Sequence, residues 1–168
     1  MGENTADNPR RIILMGRSGS GKTTLLQAIH NEALDYRKTQ EVIATADSID
    51  TPGEYIDRPF FWRGAVTAAC DADIVCFCQD CVDSLCRLPQ MFSLTFAKPV
   101  IGIVTKADSP DGDIEMAKNY LRNAGAKHLV VTSAVTRQGI DELVKLVKTV
   151  DLCDYLNPKA FARAILYR

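Results

Sequence analysis

Short apolar runs recur along the chain and are separated by longer stretches with helical spacing of apolar residues. The runs are nearly continuous in apolar residues, as is typical of strands covered on both faces of a parallel sheet. Strands are predicted over residues 11–15, 41–44, 48–50, 74–78, 99–104 and 128–131. Helices are predicted over residues 24–34, 59–70, 114–124, 139–147 and 159–167.

Strands that alternate with helices predict an α/β fold, a three-layer sandwich in which a mostly parallel sheet is flanked by helices. The 168 residues, 46% of them hydrophobic, suffice for one core. We expect a disordered tail over residues 1–10, one domain over residues 11–150, and a helical extension over residues 151–168 that packs on or near it. In such folds ligands bind beyond the carboxyl ends of the strands.

Composition narrows the class of protein. The formal net charge of −1 offers no basic surface for nucleic acid, and no run of about 18 apolar residues predicts a membrane span. The first eleven residues are polar and do not resemble a secretion signal. We therefore expect a cytoplasmic protein that binds neither nucleic acid nor a membrane.

Six cysteines are present, and four of them, Cys76, Cys78, Cys81 and Cys86, lie close together in the sequence. Cys76 and Cys78 fall in a predicted buried strand, where cysteine behaves as a small hydrophobic residue. The alternative is a zinc or iron–sulfur site closed by Cys81 and Cys86. We assign the cluster no function.

A glycine-rich stretch follows the first predicted strand and precedes the first predicted helix. Its backbone N–H groups are expected to surround a polyphosphate, with the positive end of the helix facing the phosphates. Lys22 is placed to reach the β- and γ-phosphates, and the Thr23 hydroxyl to ligate Mg²⁺. The stretch comprises Gly16, Arg17, Ser18, Gly19, Ser20, Gly21, Lys22 and Thr23, followed by Thr24.

Two downstream segments complete the predicted phosphate and metal site. Asp50 ends a predicted strand and is expected to hold Mg²⁺, while the amide of Gly53, three residues later, contacts the γ-phosphate. Glu54 follows directly; its carboxylate can orient water but repels that phosphate, which predicts slow hydrolysis. Thr39 lies in a polar loop and is a candidate third metal ligand that becomes ordered with a triphosphate.

The strand over residues 99–104 leads to a predicted base-recognition segment with Thr105, Lys106 and Asp108. A carboxylate can accept two hydrogen bonds from guanine N1–H and N2–H₂, and adenine presents no such donor pair. Lys106 is expected to lay its aliphatic stem along the purine or the phosphate loop. After the next strand, the amides of Ser133 and Ala134 are candidates to bind the guanine carbonyl oxygen.

Three adjacent aromatic residues, Phe60, Phe61 and Trp62, open one predicted helix. At 100° per residue they cannot all face the core, so one is expected to be exposed or to contact a partner. Packing of all three between helix and sheet is the alternative.

Arg37, two residues before Thr39, is a candidate to stabilise transition-state charge in cis.

The ordered motifs over residues 16–23, 50–53, 105–108 and 132–134 resemble those of the Ras-like P-loop GTPases. Segments 50–55, 99–108 and 139–143 are further similar to the EutP/PduV family of ethanolamine and propanediol utilisation. This resemblance implies association with bacterial microcompartments and with their shell or enzyme proteins. Thr105 departs from the GTPase pattern, which has asparagine there, and this is expected to weaken the link between base segment and phosphate loop.

Three functions are compatible with these residues. The first is a GTP- and GDP-binding switch with slow, Mg²⁺-dependent GTPase activity, in which Lys22, Gly53 and Glu54 act on the terminal phosphate. The second is a small-acid kinase, since members of the resembled family are described as acetate kinases. The third is a scaffold that binds nucleotide without turnover. Asp108 favours the first, because a kinase that uses ATP gains nothing from a guanine-binding carboxylate.

Overall fold

The computed structural model of the chain describes residues 9–35 and 39–152. Most of the predicted tail, Arg37 and the predicted last helix lie outside these residues. The strands are β1 (Ile12–Met15), β2 (Ile43–Ala44), β3 (Ser48–Asp50), β4 (Ile74–Asp80), β5 (Val100–Thr105) and β6 (His128–Val131). The helices are α1 (Lys22–Ile29), α2 (Glu54–Asp57), α3 (Trp62–Ala69), α4 (Ile114–Asn123) and α5 (Ile140–Thr149).

The six strands form one sheet in the order β2-β3-β1-β4-β5-β6. All neighbouring pairs are parallel except β2 with β3. Strand β1 is central: Ile13 pairs with Ile49 of β3 on one side and with Val75 of β4 on the other. The loop that leaves the carboxyl end of β1 therefore lies between two neighbouring strand ends, where α/β sheets bind ligands.

Helices cover both faces of the sheet, so the predicted three-layer α/β fold of P-loop NTPases is confirmed. Successive residues of a strand point to opposite faces. Ile13 and Met15 of β1 accordingly pack in one core with α3 and α4, whereas Ile12 and Leu14 pack in a second core with α1 and α5. Because both faces of the central strands β1, β4 and β5 are buried, apolar residues are favoured at successive positions, and this explains the nearly continuous apolar runs there.

The structure differs from the predicted elements in several places. α2 was not predicted, α1 ends at Ile29 rather than near residue 34, and residues 59–61 form a 3₁₀ turn ahead of α3. β4 continues through Gln79 and Asp80, which remain buried because β5 pairs with them to its own last residue, Thr105. β2 has two residues rather than four. A 3₁₀ turn at Phe92–Thr95 was not predicted; its Phe92 stacks on Phe77 of β4. Tertiary pairing and packing outweigh local propensity at these positions.

Both ends of α4 illustrate local sequence control. The Asp113 side chain accepts a hydrogen bond from the Met116 amide at 2.8 Å and so caps α4. Gly125, with φ of 93°, follows the end of that helix.

None of the helices within residues 9–35 and 39–152 is long and apolar enough to cross a membrane.

Candidate nucleotide-binding site

A cavity of about 700 Å³ opens at the carboxyl edge of the sheet. The four segments singled out in the sequence meet there, although they are separated by up to about a hundred residues. Ser18, Lys22 and Thr39 line one part, and Asp108 and Ala134 line another. Ser109, Pro110 and Val135 complete the second part. A cavity of this size accommodates an organic ligand with a phosphate chain.

The glycine-rich stretch forms a loop that ends at the first residue of α1. Gly21 has φ of 83°, a left-handed conformation that side chains rarely adopt, and it turns the chain into the helix. Thr23 and Thr24 lie in the first turn of α1, where backbone N–H groups face the cavity without helical partners. The loop and helix thus have the form that binds phosphate.

Lys22 is buried, with 5% of its surface exposed. Its Nζ donates hydrogen bonds of 2.8 Å to the carbonyl oxygens of Gly16 and Arg17. Burial lowers the pKa of the ammonium, because the charged form loses hydration. A bound anion would supply electrostatic stabilisation in place of the hydration that the ammonium loses on burial.

Three oxygen-bearing side chains from separate segments, those of Thr23, Thr39 and Asp50, lie in contact with one another. The Thr23 hydroxyl donates to Asp50 Oδ2 at 2.5 Å and lies 2.6 Å from Thr39 Oγ1. The Thr39 hydroxyl also donates to Asp50 Oδ2, at 2.8 Å. The structure therefore brings together all three residues that the sequence suggested as metal ligands.

The site fits a small hard cation. Among the described residues, Asp50 Oδ1 is a buried oxygen without a hydrogen-bond partner, although a buried carboxylate oxygen needs one. Two hydroxyls and a carboxylate are oxygen donors, which Mg²⁺ prefers, and Mg²⁺ is usually held by few protein ligands together with phosphate and water. Thr23, Thr39 and Asp50 are thus the residues that would hold it.

The base-recognition segment is tied to the phosphate loop through Thr105. The Thr105 hydroxyl donates to the Ser20 carbonyl oxygen at 2.7 Å, and both residues are buried. A threonine hydroxyl reaches this oxygen because the end of β5 lies directly against the loop. The link between the two segments is therefore present and is made by a hydroxyl; that it is weaker than one made by asparagine stays a prediction.

Lys106 and Asp108 follow β5 at the cavity. The Lys106 stem passes Gly21, as predicted for a residue lying along the phosphate loop. Asp108 is exposed at the cavity, and its Oδ1 accepts a hydrogen bond of 2.5 Å from the Ser133 hydroxyl. This bond orients the carboxylate that the sequence assigned to guanine.

Ser133 contributes differently from the expectation. Its amide donates to the Gln138 carbonyl oxygen at 3.0 Å, so this N–H closes a turn and is not directed at a base. Its hydroxyl positions Asp108 instead. Ala134 lines the cavity and remains the candidate of the pair for a backbone contact with a base.

Gly53 and Glu54 lie at the start of α2, beside the phosphate loop. A Cβ atom on Gly53 would overlap the backbone nitrogen of Ser18, so only glycine permits this approach. Glu54 is half-buried, and its charge acts on the Lys22 ammonium. Both residues are therefore at the end of the cavity where the phosphate loop lies.

Several site residues were not identified from the sequence. Asp80, at the end of β4, pairs with the Lys106 ammonium at 2.5 Å and is 8% exposed. Asp80 is the last residue of its strand, as Asp50 is of β3, so the position at a strand's carboxyl end is the signal that marks it. Asp57 and Asp83 both pair with Arg17. No local pattern marks these two, because their partner is distant in sequence.

The aromatic triplet is divided between surface and interior. Phe60 is 86% exposed and Phe61 38%, while Trp62 packs on Phe92 with ring centroids 5.7 Å apart. The prediction that at least one ring is exposed is confirmed. Phe61 also stacks on Tyr55 of α2, which joins this surface to the segment carrying Gly53.

The clustered cysteines do not converge. Cys76 and Cys78 lie in the core with α1 and α5, whereas Cys81 lies in the opposite core, as expected when the sheet separates them. Within the described part of the chain, no three residues of the metal-binding types are grouped to hold an ion. Burial raises the pKa of the Cys78 thiol to about 12. The interpretation of Cys76, Cys78 and Cys81 as small hydrophobic core residues fits these positions.

A family model described as "Ethanolamine utilisation - propanediol utilisation", PduV-EutP, matches residues 9–149. The propanediol utilization protein PduV of Citrobacter freundii is 38% identical over 80% of this chain and 90% of its own length. A protein of Escherichia coli K12 named "Probable acetate kinase EutP" is 33% identical over 69% of this chain and 74% of its own length.

A more distant relative is the translation initiation factor IF-2 of Thermosipho africanus. It is 29% identical over 88% of this chain, which corresponds to 24% of that protein. The family model spans most of the chain, including all four cavity-lining segments. The chain therefore belongs to the PduV-EutP family of ethanolamine and propanediol utilisation proteins.

Proposed function

We propose that this protein binds GTP and GDP with Mg²⁺, hydrolyses GTP slowly, and serves as a switch or accessory protein of a bacterial microcompartment. The observation that carries the proposal is the Asp108 carboxylate, oriented by Ser133 in the same cavity as the phosphate loop. A carboxylate there complements the two adjacent N–H donors of guanine. An adenine base offers no matching pair.

The residues at the phosphate end suit binding and slow turnover. Lys22 supplies a point charge to the β- and γ-phosphates, and the loop amides add directed N–H donors. Mg²⁺, held by Thr23, Thr39 and Asp50, would neutralise phosphate charge. Glu54 is the candidate to orient the attacking water. Its negative charge also repels the γ-phosphate, which slows hydrolysis.

The microcompartment role is supported by the family. Its description refers to ethanolamine and propanediol utilisation. The partner class that follows is a shell or enzyme protein of the compartment. The exposed Phe60 and Phe61 are the candidate contact surface for such a partner. Phe61 packs on α2, and the start of α2 lies against the phosphate loop.

Acetate kinase is the second candidate, because one relative carries that activity in its name. The two functions are separated by competition binding of GTP and ATP, followed by assays for phosphate and for acetyl phosphate in the presence of acetate. We expect GTP to bind at least about 100-fold more tightly than ATP and to yield phosphate without acetyl phosphate. ATP preference with acetyl phosphate formation would refute the switch.

Replacing Glu54 by glutamine is expected to raise the single-turnover rate of GTP hydrolysis by about tenfold. The amide removes one negative charge beside the γ-phosphate and still accepts and donates hydrogen bonds to water. Glu54→Ala is the control, since it removes the charge without orienting water and is expected to gain less. A Glu54→Gln rate below that of the wild type would instead show that the carboxylate acts as a base. Absence of turnover in all three proteins would indicate a nucleotide-binding scaffold.

A further inference from the structure

A carboxylate accepts a hydrogen bond from one of the backbone N–H groups of the phosphate loop. Asp57, the last residue of α2, accepts a hydrogen bond from the Ser18 amide through Oδ2 at 3.2 Å. Its Oδ1 lies 3.3 Å from Arg17 Nε. Amides of such loops are the groups that bind phosphate anions. Asp57 therefore presents a negative charge to the loop in the manner of a ligand.

The position of Asp57 follows from the contact of Gly53 with the loop. Gly53 lies against Ser18 so closely that a Cβ atom would overlap its backbone nitrogen. The Asp57 amide donates to the Gly53 carbonyl oxygen at 3.0 Å, so the two residues are one helical turn apart. That turn carries the Asp57 carboxylate back to the same amide. Movement of Gly53 away from the loop would therefore also remove Asp57.

Negative charge is concentrated at this end of the cavity. Arg17 pairs with both Asp57 and Asp83, so one guanidinium serves two carboxylates. Burial lowers the pKa of Lys22, and the charges of Asp50, Asp57 and Glu54 act in the opposite direction. All three carboxylates are therefore near enough to the ammonium to interact with it. A triphosphate brings more negative charge into this part of the cavity than a diphosphate does, so repulsion by these carboxylates is expected to be larger for the triphosphate.

We propose that Asp57 is a specificity-determining residue that favours diphosphate over triphosphate, because its carboxylate competes with the terminal phosphate for the Ser18 side of the loop. This rests on the proposed nucleotide binding. It implies that the triphosphate must displace α2 from the loop, and with it the attached Phe61 surface. Asp57 acts through charge and position and takes no part in bond cleavage.

The test is the ratio of dissociation constants for GppNHp and GDP, measured at fixed Mg²⁺ in the full chain. Asp57→Asn is expected to lower this ratio by about tenfold, because it removes one charge near the terminal phosphate. Asp83→Asn is the matched control. It removes the same charge from the same arginine, but within the described residues the Asp83 carboxylate accepts from the Arg17 guanidinium and the Leu85 amide, and no backbone amide of the loop donates to it. Its ratio is expected to change less than about twofold.

An unchanged ratio in Asp57→Asn would overturn the proposal, and equal shifts in both variants would assign the effect to Arg17 instead. Retained GDP affinity shows that the variants are folded. If the wild type prefers adenine nucleotides, the proposed guanine function fails, and the same ratio with AppNHp and ADP still tests Asp57. Loss of all nucleotide binding in the wild type would overturn both.

Discussion

Replacing Asp108 by asparagine is expected to weaken GDP and GTP binding by about 100-fold or more and to create a preference for xanthosine nucleotides. Two hydrogen bonds to a charged acceptor are worth about 3 kcal/mol together. Asparagine presents one acceptor and one donor group, so its NH₂ faces the guanine NH₂ without a partner. Xanthine has a carbonyl oxygen at that position and restores the pairing.

The measurement is competition of GDP and XDP against a fluorescent guanine nucleotide. Asp111→Asn serves as the control, since Asp111 is also exposed and only three residues away but is absent from the cavity lining. It is expected to leave both affinities within about twofold. Equal loss of GDP binding in both variants, or no loss in Asp108→Asn, would show that Asp108 does not contact the base.

Replacing Lys22 by methionine is expected to abolish nucleotide binding, with a loss of at least about 100-fold, while leaving the nucleotide-free protein at least as stable. The ammonium is buried, and burial lowers its pKa. A group whose pKa is lowered on folding destabilises the fold at pH values below its folded pKa, where it must carry its charge. Methionine has a similar volume and no charge, so it relieves this cost.

Thermal unfolding with and without GDP measures both effects. The variant should show no rise in Tm with GDP, and its Tm without nucleotide should lie within about 2 °C of the wild type or above it. Lys145→Met is the control, because Lys145 is exposed on α5 and its replacement leaves the GDP-dependent rise intact. A large fall in Tm without nucleotide would mean that the Gly16 and Arg17 hydrogen bonds to Lys22 maintain the loop.

The fold was largely predictable because the central strands β1, β4 and β5 are buried on both faces and the long helices on one. Continuous apolar runs at β1 and β5 and the spacing of apolar residues in α4 follow directly from that arrangement. The 3₁₀ turn at Phe92–Thr95 was not predictable. Its residues take their conformation from the packing of Phe92 against Phe77 and Trp62, which are distant in sequence.

Residues of the candidate site were predictable where their own segment of sequence shows a recognisable local pattern. The phosphate loop, Asp50 and Asp108 each stand at the end of a strand, and parallel strands bring their ends to one edge. Thr39 had no such signal beyond its place in a polar loop, and its contacts with Thr23 and Asp50 became visible only in three dimensions. Ser133 was located correctly, but its hydroxyl and not its amide faces the site.

The sequence alone thus determined that a glycine-rich loop lies between a strand and a helix and that a carboxylate follows β5, because short-range order of residue types suffices for both. Phosphate and guanine binding are predictions from that order. Tertiary structure alone decided how these parts act on one another. Thr105 reaches the Ser20 carbonyl, Asp80 pairs with Lys106, and Asp57 returns to the Ser18 amide. Each of these contacts joins segments at least 26 residues apart. They depend on how the sheet and α2 place those segments in space, which no local pattern encodes.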